Sequence, residues 1–444
     1  MYFSFLLQGT NISTNEKDDK NDRDVVYALN TSNLVVCEWH HTWGGFYDDC
    51  GLGTAVDSSG NIYLAGETTS FGAGHYDMVL VKYDGNGVQQ WNRTWGGSSY
   101  DHCWGVAVDS SCNIYITGFT DSVGAGFYDM VLVKYDGNGV QLWNRTWGGG
   151  DYDYGWGVAV DSPGNVYLAG ETASFGAGSD DMVLVKYDGN GVQQWNCTWG
   201  GGECDVGRGV AVDSSGNIYL AGETFSFGAG FYDMVLVKYD GNGVQLWNRT
   251  WGGAIQDFGQ AVAVDSSGNA YLVGDTTSFG AGSDDIVLVK YNRNGVQQFC
   301  HTWGESTRDF GRGVVVDSSS NIYVAGATYS YGSRDLDMVL VKYNRNGVEQ
   351  WYYTWGGGLD DYSFESAVNS SGIIYVAGGT YSYGSGDLDM VLVKLMVSER
   401  PHSNNFVMIV IIGLSMASMV GVGIAITFFF RKRLKILSFT NNFY

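Results

Sequence analysis

Aspartate recurs through this chain at a fixed phase, and carboxylates held in register are its first candidates for chemistry. One set is Asp49, Asp101, Asp153, Asp205, Asp257, Asp309 and Asp361, each six residues after a Thr-Trp pair. A second set is Asp77, Asp129, Asp181, Asp233, Asp285, Asp337 and Asp389. Carboxylates gathered at one level of a fold can hold Ca²⁺ or attract a cationic ligand, and the first set is the candidate Ca²⁺ site. The competing reading is that each Asp accepts backbone N–H bonds and fixes its own loop. Presence in every copy favours the loop role, since a single site has no use for seven copies. No DxDxDG calcium loop occurs. Beyond Ca²⁺ no cofactor is expected.

Other positions change from copy to copy. One series of connections reads SSYDHC, GGDYDYG, GGECDVG, AIQDFG, ESTRDFG and GGLDDYSF, and another reads SFGAGHYD, SVGAGFYD, SFGAGSDD and SYGSRDLD. The differences are aromatic or charged, and loops on a rigid scaffold are where binding usually sits. The candidate ligand-binding face therefore comprises Tyr100, His102, Tyr152, Tyr154, Phe258, Arg308 and Phe310, with His75, Phe127, Phe231 and Arg334 from the second series. No HExxH, GxSxG or P-loop is present, and no catalytic residue is assigned. His40, His41 and His301 replace the Asn-Arg of a recurring NRTW.

These positions belong to a repeat. Thr-Trp returns with Trp43, Trp95, Trp147, Trp199, Trp251, Trp303 and Trp355, and DMVLVK keeps the same 52-residue step. Each copy holds four short runs rich in β-branched and aromatic residues, in the second copy Gly105–Asp109, Asn113–Gly118, Asp129–Tyr135 and Val140–Trp147. They are called strands a to d here. A DSSxN turn joins a to b, and DGNG, suited to a hairpin turn with positive φ, joins c to d. Four antiparallel strands per unit predict a β-propeller of seven blades. The last copy lacks strand d, and Leu34–Trp43 at the other end supplies one. That strand would close the ring and remove its exposed edges. Asp24–Leu29 reads as a degenerate extra strand. Lys82, Lys134, Lys186, Lys238, Lys290, Lys342 and Lys394 recur inside strand c and are expected to form ion pairs between blades. The repeated Trp residues are expected to pack between blades.

The units, from Trp95-Gly96-Gly97 through GVAVDSSxNIY to DMVLVKYDGNG, resemble the SBBP-type β-propeller repeat of bacterial and archaeal surface proteins. GVAVDSSGNIYLAG is more distantly similar to the NHL repeat. The SBBP resemblance implies a propeller and an extracellular tendency. It brings no common catalytic residues.

The predicted domains are a leader over 1–33, the propeller over 34–395, a linker over 396–405, a transmembrane helix over 406–430 and a basic tail over 431–444. Phe406–Phe430 is uncharged and as a helix would span roughly 37 Å, enough to cross a bilayer. Arg431-Lys432-Arg433-Leu434-Lys435 follows, which places the tail in the cytoplasm and the propeller outside. Gly413, Ala417, Gly421 and Ala425 offer small-residue spacing for helix–helix self-association, although small residues are common in membrane helices. Met1–Leu7 is too short for a signal peptide, and the expectation is that the start lies upstream, Tyr2–Leu7 being a signal remnant. Sequons at Asn92, Asn144, Asn196, Asn248 and Asn369 are glycosylation candidates, or else copies of a structural NRTW.

Composition bounds the remaining classes. A net charge of −23 excludes a basic nucleic-acid footprint. The 66 Gly, 2 Pro and 15% aromatic residues fit an all-β chain of short strands. Seven cysteines at unrelated phases, with no CxxC, argue against a zinc site or a disulfide framework, though a single Cys197–Cys204 bridge is left open. The leading reading is a membrane-anchored extracellular scaffold for binding or adhesion, with a protein or glycan ligand. The alternatives are a propeller enzyme (hydrolase, lyase or quinoprotein) working at the channel mouth, and a structural envelope component. Clustered, non-repeating polar residues at that mouth would favour the enzyme.

Overall fold

The computed structural model describes residues 25–26, 33–333 and 335–399. Each 52-residue unit forms one antiparallel sheet in the order a-b-c-d, as in Asp101–Val108, Ile114–Thr120, Asp129–Tyr135 and Gln141–Trp147 of blade 2. Among the described residues there are seven such sheets and no helix. The a strands touch one another in sequence, and that of blade 7 touches that of blade 1. The ring is closed, with a innermost.

The turns explain why the units fold alike. In blade 1 the Asp57 carboxylate accepts from the backbone N–H groups of Ser59 and Asn61 and from the Asn61 side chain. Asp84 does the same for Asn86 and Val88, and Gly87 takes φ +83° to close that hairpin. Strands b and c are buried almost throughout. Their side chains form apolar clusters at the seams between adjacent blades, for example Tyr63, Leu80, Ile116 and Val131 between blades 1 and 2. Each fully buried Val, Leu or Ile contributes roughly 1.5–3 kcal/mol.

Closure follows the expected plan. Asn33–Trp43 pairs antiparallel with Asp389–Glu399 as the d strand of blade 7, from Asn33 opposite Glu399 to Trp43 opposite Met390. Val35 and Cys37 of this strand are buried. Val25–Val26, within the predicted extra strand, adds a short fifth strand outside Asn33–Trp43. Strand c of blade 7 runs to Glu399, past the boundary expected at residue 395.

Three expectations need correction. Strand a begins at Asp101 and strand b ends at Thr120, so His102, Trp104 and Phe119 lie in strands. The strand c lysines do reach across the seams, but mostly to backbone carbonyls. Lys82 Nζ donates to Gly137 O at 2.8 Å and lies over the rings of Tyr63 and Trp91. Carboxylate partners are found for Lys394, with Glu38 at 3.0 Å, and more distantly for Lys238. The tight c–d turn presents its carbonyls to the neighbouring blade, which satisfies the ammonium without a second buried charge. All seven cysteines are free thiols, so Cys197 and Cys204 are not bridged. The segments 1–24, 401–405, 406–430 and 431–444, with the helix positions Gly413, Ala417, Gly421 and Ala425, lie outside the described residues.

Candidate functional site

The b–c loops and the d–a connections share one face of the ring. The backbone N–H of His75 donates to Ser99 O at 2.9 Å, and Tyr76 bridges Tyr100 in parallel register. Both aspartate sets stand at this level. The Asp49 carboxylate accepts from the hydroxyls of Thr68 and Ser70 and from Gly45 N, and its counterparts are bonded alike. Asp129 of the second set accepts from Ala125 N and Gly126 N. The two sets face each other in pairs across Gly44, Gly96 and their equivalents, where a Cβ would strike both carboxylates. Among the described residues no three His, Cys, Asp or Glu side chains gather as metal ligands. The candidate Ca²⁺ residues Asp49, Asp101, Asp153, Asp205, Asp257, Asp309 and Asp361 each accept hydrogen bonds from protein donors that fasten the loop.

The variable residues rise from this framework, and over blades 1 to 3 they merge. His75 stacks on Tyr100 at 5.0 Å, and Tyr76 stacks on His102 at 4.9 Å. His102 Nδ1 is 2.6 Å from Glu67 Oε2 of the preceding blade. His102 also meets Phe119, which meets Tyr128 and Tyr154 edge-on. A second ladder runs inward: Phe127 stacks on Tyr152 at 5.1 Å, Tyr152 on Tyr154 at 6.1 Å and Tyr154 on Trp156 at 6.0 Å. Its outer end is open, with Phe127 62% and Tyr152 39% exposed. Six of the eleven sequence-derived candidates, His75, Tyr100, His102, Phe127, Tyr152 and Tyr154, therefore belong to one surface. Phe231 and Phe258 join a separate group through Phe225 and Tyr232. Arg308 pairs with Asp284 at 3.3 Å, and Phe310 lies under the Arg312 guanidinium. Arg334 lies outside the described residues.

Sequence reasoning did not find the residues at the channel mouth. Every a strand shifts register by one residue after its third position, and the extra residue is Leu52, Trp104, Trp156, Arg208, Gln260, Arg312 or Phe364. A bulge re-aims its side chain, here on the innermost strand. Next to these, strand b carries Glu67, Phe119, Glu171, Glu223, Asp275, Ala327 and Gly379 at one position. Together they form a non-repeating polar arc over blades 3 to 6. Trp156 Nε1 donates to Glu171 Oε1 at 3.2 Å, and the Arg208 guanidinium lies over the Trp156 ring. Arg208 donates through Nε and Nη2 to Glu223 Oε1, at 3.1 and 2.9 Å. Arg312 Nη1 donates to Asp275 Oδ2 at 3.2 Å.

The arc is tuned by burial. Burial pushes the Glu171 carboxyl up to about 7, against Arg208 and helped by Glu223. Burial likewise raises Asp275 to about 6, against Arg312. Lower in the channel Glu365 stands where other blades carry Gly53, Gly105 or Ala261. Burial raises it to about 8, although it accepts from Thr54 N at 3.3 Å. The sequons Asn92, Asn144 and Asn196 are exposed on the outer strand, while Asn248 and Asn369 are half-buried.

The family-model comparison agrees with the fold. The SBBP beta-propeller repeat matches residues 200–226, 252–280 and 297–332. The regulatory protein FlaEY of Caulobacter vibrioides is 29% identical, over 34% of this chain and 19% of its own length. The chain thus spans about a fifth of that relative. A protein of unknown function from Bacteroides caccae is similar at TM-score 0.41 and 12% identity, covering 66% of this chain and 93% of that one. A gluconolactonase from Xanthomonas campestris is similar at TM-score 0.40 and 10% identity, covering 71% and 94%. Matches to the SBBP beta-propeller repeat therefore stand at three places within residues 200–332 of this chain.

Proposed function

We propose that this chain is a binding module, held at a cell surface, that captures a saccharide on the aromatic sector of blades 1 to 3. The observation that carries the reading is the unbroken ladder from Phe127 and Tyr152 at the rim to Trp156 at the channel mouth. Aromatic faces offer flat apolar platforms, and Glu67, His102 and Glu171 stand beside them for hydroxyl groups. Anchoring rests on the uncharged stretch 406–430 and the basic residues after it, with the propeller outside. The test is glycan-array binding by the full-length protein, followed by calorimetry on the best hit. Saturable binding that falls at least about tenfold in Tyr152→Ala supports the reading. Equal binding by that variant defeats it. Protection of the propeller from protease added outside intact cells would defeat the topology.

A second reading, an enzyme at the channel mouth, is favoured by one observation. Glu171, raised to about 7, stands beside Arg208 and Glu223, an acid–base arrangement available at neutral pH. Release of shortened products from a bound glycan, abolished in Glu171→Gln, would establish it.

A further inference from the structure

We infer that the polar arc over blades 3 to 6 is a subsite for the protonated amine of an unacetylated amino-sugar residue, a deepening of the saccharide reading on which it rests. Trp156 is where the two regions meet. One neighbour is Tyr154 of the ladder, and the other is the Arg208 guanidinium, 4.5 Å above its ring.

Beyond Trp156 the arc holds three carboxylates, Glu171, Glu223 and Asp275, against two guanidiniums, Arg208 and Arg312. With all three carboxylates ionised it is one positive charge short, and Asp180 adds a further negative charge acting on Glu171. Burial makes such a shortfall costly, because carboxylates withdrawn from water need compensating charge and donors.

An independent sign is the state of Glu223. The residue is 2% exposed, its Oε1 holds Arg208, and its Oε2 has no hydrogen-bond partner. The fold thus leaves a buried acceptor for which it supplies no donor. A primary ammonium brings both the missing charge and three N–H donors. Trp104 meets Trp156 edge to face at 4.7 Å, which sets an aromatic wall beside the arc. A metal ion fits less well, since no three ligating side chains gather among the described residues. A lysine side chain carries the same ammonium but no flat ring for the ladder.

The test is calorimetry of the full-length protein with a glucosamine oligomer and its fully N-acetylated counterpart of equal length. At low salt the free amine is expected to bind roughly tenfold tighter, with the preference shrinking as salt is added. Glu171→Gln, checked for an unchanged melting temperature, is expected to bring the two affinities within about twofold of each other. Equal affinities in the parent protein would overturn the amine subsite and leave the saccharide reading standing. Failure of every oligomer to bind would overturn both. A lysine peptide binding as tightly as the glucosamine oligomer would overturn the choice of an amino sugar.

Discussion

The two faces of the ring use aspartate in opposite ways. On the a–b turn face, burial would raise Asp57, but bonds from Asn61, Tyr63 and Ser59 outweigh it and hold the carboxyl below its usual range. Asp265 behaves alike. On the loop face, Asp389 is raised, first by burial, with Gly386 and Ser385 opposing and Asp49 facing it as a like charge. Asp77 and Asp285 are raised for the same reasons, and Asp337 reaches about 6. Both faces give their carboxylates donors, but only the loop face also sets carboxylates against each other in pairs beneath variable tips. Invariance therefore marks structure on both faces, and the loop face adds chemistry only at positions the framework leaves free.

The largest expected effect tests that framework on both sides. Asp205 is fully buried and accepts from Gly201 N, Ser226 Oγ and the Thr224 hydroxyl, whereas Asp213 on the opposite face is half-buried. Asp205→Ala strands these donors out of water and should cost about 3 kcal/mol in urea unfolding. Asp213→Ala, one of whose donors, Ser215 N, lies at the surface and whose Tyr219 hydroxyl keeps Gly268 O, should cost about half as much. Equal costs would remove the distinction.

A pH effect comes next. Glu365 has an ordinary value of 4.5 and is raised to about 8 in the fold, so the native state keeps a proton that the unfolded chain has lost. Its contribution is fully present below about pH 4.5 and is lost as pH rises through 8. Stability should fall by about 2 kcal/mol between pH 6 and 9, and Glu365→Gln should flatten that slope. Thermal melts across this range decide it. The donor-rich turn face should show the reverse trend on acidification, because carboxyls held low, like Asp57, lose their contribution as pH falls through their folded value.

A third effect concerns the a–b turns of blades 2 and 6, where Cys112 and Ser320 take positive φ. Gly60 takes φ +83° in the same turn of blade 1, but the equivalent residue of blade 2 is Cys112, at φ 60°. A residue with a Cβ is strained in that region, and Cys112→Gly should stabilise the protein by roughly 1 kcal/mol. An unchanged urea midpoint would show that the turn tolerates the side chain.

How far this was legible in the sequence depends on what sets each residue's role. The blades, the closing strand and the variable face follow from periodicity, since seven copies in phase leave little choice of register. The ladder was half visible: Tyr152 and Phe127 stand in loops that vary openly. Trp156, Arg208 and Glu171 were hidden, because the a and b strands extend further towards the loop face than the β-rich runs suggested. The bulge that turns Trp104 and Arg208 inward has no composition of its own. Comparing copies column by column at the third residue after each Asp of the first set would have exposed it, since that residue is Trp, Trp, Arg, Gln and Arg in blades 2 to 6. The lysine partners were misjudged because a charge was expected to seek a charge, while the neighbouring turn offers carbonyls nearer at hand.

The smallest expected change in stability carries the most weight for function. Tyr152 is 39% exposed, and its ring touches Phe127, Tyr128 and Tyr154. Phe127 and Tyr154 keep other contacts or solvent when it is removed, so Tyr152→Ala should shift unfolding by no more than about 0.5 kcal/mol. Asp153, the next residue, is buried and fastens the loop through Thr172, Ser174 and Gly149. Two adjacent residues should therefore separate cleanly, Asp153→Ala losing stability and Tyr152→Ala losing ligand alone. If Tyr152→Ala instead costs more than about 1 kcal/mol, the ladder is packing that reaches the surface, and its exposure has no bearing on recognition.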